Sequence, residues 1–430
     1  MSLLGRFRTA LRKGRTVETE QAPAPSGAQG PAQGRANAPH SAVLRGQVTH
    51  VVILDGTLST LEDGQETNAG LTYKLCREVA QKTRAATEPT ARLSLRYEAG
   101  IQWSGWRNAL DVIEGRGINR QIRQVYGALA SRYVEGDRIF LFGYSRGAYA
   151  VRSLAGMIDR LGLLEAAHAT ERNVSVLYSH YQSDPDTAVA QEFARSHCHQ
   201  SVEIEMIGVW DTVSAIGIRA PFLWRLSKAK HRFRSAYLGP HVKRGYHALA
   251  YHESRRAYAP VMWQTDPDAV AAGTAPEMVQ MWFRGNHGDV GGQLGDWAEG
   301  RKLSNAALVW ILDKAESAGL PLPFGWRMRF LADPTGPKSP PWRGWAKLFW
   351  ARKPRVVGAD PSEVLHPSLT QRVRRRRGGL AWWRLVRRRL RRWQRKNRSA
   401  RARSYRATPP RNPYEGQRNK GAGSRIRLRR

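Results

Sequence analysis

Residues 138–147 read RIFLFGYSRG and continue into AYAVRSLAGMIDRLG at 148–162. Ile139, Phe140, Leu141 and Phe142 form an unbroken apolar run, the pattern of a strand buried on both faces of a parallel sheet. Ala148, Val151, Leu154, Ala155, Ile158 and Leu161 then fall on one stripe at helical spacing, and Gly162 stands where a helix C-cap is expected. Between them lies Gly143-Tyr144-Ser145-Arg146-Gly147. A serine raised on a sharp strand-to-helix turn needs glycine on either side, because a β-carbon there would clash with the neighbouring backbone. The short pattern alone is common. The strand before it and the helix after it make Ser145 a candidate nucleophile and not merely a tight turn.

From Gly46 to about residue 335, runs such as THVVILDG alternate with helical stretches such as INRQIRQVYGALASRYVEGD. This rhythm predicts an α/β, alpha/beta-hydrolase-like fold, with a mostly parallel sheet and helices on both faces. A serine hydroxyl is a weak nucleophile at neutral pH, so it needs a histidine base and an acid that orients the imidazole. In this fold the acid and then the histidine follow the serine, each just past a later strand. IEMIGVWDTV places Asp211 at such a strand end, where its alternative role is to cap a turn through Thr212. MVQMWFRGNHGDVGG places His287 after another strand, in a loop made flexible by Gly285, Gly288, Gly291 and Gly292; Asp289, two residues on, competes with Asp211 as the acid but is rather expected to organise that loop.

The oxyanion of the reaction needs backbone donors. The N–H of Arg146, just after the serine, is one, and Gly56 in Asp55-Gly56-Thr57 at the end of THVVIL is the expected other. Each such donor contributes about 3–4 kcal/mol to transition-state stabilisation. Asp55 reads as a residue that holds this loop. The Arg146 side chain is expected to pair with a carboxylate, or else to meet an anionic group of the substrate.

The 430 residues are 41% hydrophobic and include two cysteines, Cys76 and Cys198, which give neither a disulfide framework nor metal spacing. His197 and His199 flank Cys198 but fit no zinc pattern and read as a surface loop. No metal and no cofactor is expected. Residues 1–17 are basic, with Leu3, Leu4, Phe7 and Leu11 at helical spacing, and read as an interfacial helix or a frayed terminus; no secretory signal or membrane span is recognised. Such a chain is expected to be cytoplasmic or peripheral on a membrane, specialised export aside. Residues 18–45 have a linker composition.

The charge of +35 is uneven: residues 372–430 hold 24 Arg or Lys against the acid Glu415, a net +23. Residues 336–396 form a basic, Trp-rich region. In it Trp383, Val386, Leu390 and Trp393 make an apolar stripe among arginines, and Trp342, Trp345, Leu348, Phe349 and Trp350 alternate with Arg343, Lys347, Arg352 and Lys353. This pattern suits an anionic membrane surface; an unstructured or partner-binding tail and a nucleic-acid contact are the alternatives. Residues 397–430 read as a disordered Arg-rich tail.

The blocks ILDGT, GDRIFLFGYSRGAYAVRSLAGMI, GVWDTVSAIG, HALAYHESRRAYAPVMW and WFRGNHGDVGG occur in this order. Over about residues 47–315 they resemble the alpha/beta-hydrolase-like catalytic domain of type VI secretion phospholipase effectors, a family with many uncharacterised members. The resemblance implies a serine-dependent lipase or esterase, with phospholipids as the best-known substrates. It carries the family's serine onto Ser145, its WDTV aspartate onto Asp211 and the histidine of its glycine-rich block onto His287. Two departures bear on the shape of the substrate site. His252-Glu253-Ser254-Arg255-Arg256 replaces an Asp-Glu pair before the double arginine, and Asn286 and Gly288 flank the histidine where the family often has an apolar residue and a serine. Residues 216–245, with Phe222, Leu223, Trp224 and Phe233, are expected to form a lid or acyl-chain surface, or else core. Against a lipid ester hydrolase stands a non-catalytic protein that uses the hydrolase fold as a scaffold and grips nucleic acid or an acidic partner with its tail.

Overall fold

The computed structural model describes residues 46–85, 92–100, 116–213, 236–340 and 351–369. Of the segment 216–245 expected to be lid, acyl-chain surface or core, residues 216–235 lie outside these residues, as do the Trp-rich stretch 342–350, residues 1–45 and residues 370–430.

Seven parallel strands form the central sheet: β1 (Val48–Leu54), β2 (Arg92–Glu98), β3 (Arg138–Tyr144), β6 (Ile204–Trp210), β7 (Arg244–Ala250), β8 (Glu277–Phe283) and β9 (Glu363–Leu365), in the order β2-β1-β3-β6-β7-β8-β9. Two short strands, β4 (Leu163–Leu164) and β5 (Cys198–His199), pair separately as an antiparallel ladder. His197, Cys198 and His199 therefore do not form the surface loop expected of them: a helix ends at His197, and Cys198 is buried. Successive side chains of a strand point to opposite faces, so one run feeds two cores. On one face Ile139 and Leu141 pack with Val52, Leu54, Ile207 and Val209 beneath α1 (Arg116–Ala130) and α2 (Arg146–Leu161). On the other, Phe140 and Phe142 pack with Val51, Ile53, Met206 and Trp210 beneath α3 (Asn68–Ala85) and α4 (Arg301–Ser317). Leu238 and Val242, in the stretch expected to be lid or core, are core.

The chain leaves β1 towards β2 on one side, and β3 lies on the other. The carboxyl ends of β1 and β3 thus flank the topological switch point, where open α/β sheets leave a crevice for ligands. The loop bearing Gly56 follows β1, and Ser145 follows β3.

The expected domain boundary near residue 335 is too early. Residues 351–369 belong to the fold, and β9 extends the sheet through Gln280↔Glu363 and Trp282↔Leu365. Buried polar atoms on β8 require this cover. Trp282, fully buried, donates its Nε1–H to Glu363 Oε2 at 2.7 Å, and the buried Gln280 donates to Ser362 Oγ at 2.9 Å. A fragment ending at residue 335 leaves the β8 edge and Trp282 bare, at a cost of at least about 3 kcal/mol. In scanning fluorimetry it is expected to melt well below a fragment ending at 369, or to aggregate; equal melting temperatures would contradict this account of β9.

Candidate active site

The turn after β3 is made possible by close packing. A β-carbon on Gly147 would stand 2.1 Å from the Leu54 carbonyl oxygen, and one on Gly143 would stand 2.7 Å from Ala148 Cα. With both positions bare, α2 starts directly over the ends of β1 and β3, and Ser145 is held at φ 58° and ψ −119°. Asp211, just past β6, also has a positive φ of 43°. Side chains other than glycine rarely adopt this region, so the surrounding packing must impose it.

Ser145, Asp211 and His287 meet. His287 Nε2 lies 2.8 Å from Ser145 Oγ, and His287 Nδ1 lies 2.6 Å from Asp211 Oδ2. A carboxylate only accepts, so Nδ1 carries the proton and Nε2 is free to accept one from the serine. All three residues are buried. The Tyr144 and Tyr258 rings stack on the imidazole at 4.9 and 4.7 Å between centroids.

His287 does not sit in a flexible loop. It opens the short helix α5 (His287–Gly291), whose first turn is closed by Asn286 and Asp289 in a capping box. Asp289 is thus a structural cap, with its Oδ2 accepting from Asn286 N at 2.9 Å. The His287 N–H donates to Glu253 Oε2 at 3.2 Å, and Arg255 holds Glu253 from Nε at 2.9 Å and from Nη2 at 2.5 Å. Glu253 and Arg255 together therefore seat the histidine.

The Asp211 carboxylate turns away from Thr212. Oδ1 accepts from Ala250 N at 3.0 Å, and Arg355 spans both oxygens, Nη1 to Oδ1 at 2.5 Å and Nη2 to Oδ2 at 2.9 Å. Burial alone would raise the pKa of this group, but Arg355 and His287 hold it well below the usual carboxylate range. The Thr212 N–H instead donates to His247 Nε2 at 3.0 Å. Burial, aided by the charge of Arg152, pushes His247 down to about 3, so it stays neutral as a fixed acceptor.

Gly56 is in place, but its N–H is taken. A methyl group there would stand 3.4 Å from Ser145 Cβ, yet the Gly56 N–H donates to Asp55 Oδ1 at 2.6 Å. Asp55 holds the loop as expected: Thr67 and Tyr97 donate to Oδ2 at 2.7 and 2.8 Å. The Arg146 side chain is half-buried, and no carboxylate pairs with it among the described residues.

The model of the T6SS Tle1-like phospholipase effector catalytic domain matches residues 49–314. The chain belongs to that family. It is 33% identical over 123 residues to an uncharacterized protein of Saccharomyces cerevisiae, a stretch that is 26% of this chain and 18% of that protein. Two solved structures are also similar. An uncharacterized protein from Pseudomonas aeruginosa has 15% identity and a TM-score of 0.34 over 67% of this chain and 49% of that one. The Tle1 effector bound to the VgrG spike of the type 6 secretion system has 18% identity and a TM-score of 0.32 over 65% and 55%. The chain thus spans a small part of the curated relative and about half of each solved structure. The matched residues include Ser145, Asp211 and His287, whereas Arg355 lies beyond them. Among the described residues no helix is long and apolar enough to cross a membrane, and no cluster of three or more His, Cys, Asp or Glu is placed to hold a metal.

Burial raises the Asp55 pKa from 3.8 to about 6. The folded chain therefore keeps a proton that the unfolded chain has already released. The stability this gives is complete below pH 3.8 and is lost as the pH rises through 6, in all about 3 kcal/mol. Denaturant titrations between pH 4 and 7 are expected to show a fall in stability that Asp55→Asn removes; equal pH slopes in the two proteins would show that Asp55 is not the titrating group.

Proposed function

We propose that the chain is a serine-dependent carboxylic-ester hydrolase whose substrates are phospholipids. The observation that carries this reading is the continuous path from Ser145 Oγ through the His287 imidazole to Asp211 Oδ2, with steps of 2.8 and 2.6 Å. Ser145 attacks the ester carbonyl carbon while its proton passes to His287 Nε2. Asp211 fixes the imidazole tautomer and stabilises the imidazolium, which then protonates the leaving alkoxide. Water, activated by the same imidazole, releases the acid from the acyl-serine. The Arg146 N–H is one oxyanion donor. Since the Gly56 N–H is turned to Asp55, the second is the Thr57 N–H, which meets no acceptor among the described residues.

The phospholipid part of the reading rests on family membership and on Arg146. Burial pushes the pKa of its guanidinium below the ordinary value, and a phosphate group beside the scissile ester would supply an anion that it does not meet among the described residues. The Trp-bearing basic sequences suit the anionic surface on which such a substrate lies, and delivery by a type VI apparatus is the route that membership in an effector family suggests.

A fluorophosphonate probe is expected to label the protein and to lose at least about 1,000-fold in rate with Ser145→Ala. Labelling that survives this change would exclude Ser145 as the nucleophile. Arg146→Met is expected to lower kcat/KM for phospholipid vesicles about 10-fold more than for a neutral p-nitrophenyl ester. An equal effect on both would remove the phosphate role and leave an esterase of another specificity.

A further inference from the structure

We propose that Arg355, on the segment beyond the family-matched residues, is a positioning residue for the Ser145–His287–Asp211 site: it holds the acid in place and shares its charge with the histidine. The inference rests on the catalytic reading of those three residues. Its own ground is geometric. The Arg355 side chain is 3% exposed, and its Nη1 and Nη2 each donate to a different Asp211 oxygen. The same two nitrogens also donate to main-chain carbonyls, Nη1 to Ala250 O at 2.9 Å and Nη2 to Tyr258 O at 2.6 Å. Ala250 ends β7 and supplies an N–H to Asp211. Tyr258 stacks on His287. One guanidinium therefore ties together the acid, the strand end below it and the ring beside the base.

The segment that carries Arg355 is laid along the loop after β7. The Arg256 N–H donates to Ala351 O at 3.0 Å, and the Lys353 N–H donates to Ser254 O at 2.7 Å. It is anchored further on by Asp360, which accepts from Thr265 N at 2.8 Å and Thr265 Oγ1 at 2.7 Å, and by β9. The strap and the loop that seats His287 through Glu253 are one hydrogen-bonded unit.

A bidentate guanidinium on a triad acid has two opposed effects. It keeps the carboxylate ionised and oriented, but it also draws on the charge that would stabilise the imidazolium. Among the described residues, the groups that face His287 are Asp211, Ser145, the Tyr144 and Tyr258 rings, and Glu253 at its backbone, the last neutralised by Arg255. Removing the Arg355 charge leaves Asp211 to the imidazolium alone. The imidazole then stays protonated, and so inactive as a base, up to a higher pH.

The test is the rate of fluorophosphonate labelling of the full chain as a function of pH. With Arg355→Met the optimum rate is expected to fall at least 10-fold and the acidic midpoint to move up by about one pH unit. With Arg355→Lys, which keeps the charge but cannot bridge both oxygens, the rate falls and the midpoint stays. Arg355→Met at the wild-type rate and midpoint overturns the proposal. So does a lower rate with an unmoved midpoint, which is what a merely structural role predicts. If the methionine variant does not fold, the lysine variant decides, and a wild-type rate in it overturns the proposal. A failure of the catalytic reading is separate: it appears as wild-type labelling that does not depend on Ser145.

Discussion

An ionised carboxylate with no exposed surface has to be compensated, and much of this molecule converges on doing so for Asp211. The desolvation of such a group costs several kcal/mol unless hydrogen bonds and an opposite charge replace the water. Ala250 N comes from the end of β7, His287 Nδ1 from the start of α5, and both guanidinium nitrogens from Arg355. Elements distant in sequence are therefore bound to one point at the carboxyl edge of the sheet. Asp211 makes these contacts from a backbone at a positive φ of 43°, which the surrounding packing must impose.

The same edge is buried and closely packed. Tyr144 precedes Ser145 and stacks on His287, and a β-carbon on Gly291 would fall 1.8 Å from its ring. The turn after β3 and the helix that presents His287 therefore fit together only because a glycine faces the tyrosine. Exclusion of water strengthens each charge interaction within the site, so the hydrogen bonds from Ser145 to Asp211 count for more than they would at a surface.

Most of the sheet was legible because its strands are long and apolar. The runs ending at Leu54, Tyr144, Trp210 and Phe283 are strands β1, β3, β6 and β8, and chain order pointed to the three residues that the fold brings together. β9 was not legible. It is a three-residue strand, largely exposed, whose role is to cover buried polar atoms on β8, and neither its length nor its pattern announces that. The engagement of the Gly56 N–H by Asp55 is likewise a matter of side-chain rotamer, which sequence pattern does not carry. His287 as the first residue of a helix was within reach: Asn286 and Asp289 have the spacing of a capping box, but the surrounding glycines read more strongly as loop.

Arg355 shows why composition misleads in this chain. With 70 Lys and Arg in 430 residues, and with tryptophan and basic residues interleaved over 342–353 just before it, an arginine there reads as part of a basic extension. Only the fold distinguishes it. A surface arginine keeps its water and contributes little. Arg355 has given up that water for two carboxylate oxygens and two carbonyls, an exchange that is favourable only when all of these acceptors are already fixed. The segment 351–369 is therefore held as much by the site as the site is held by it. The folded unit consequently continues through β9, past the point where the family match stops.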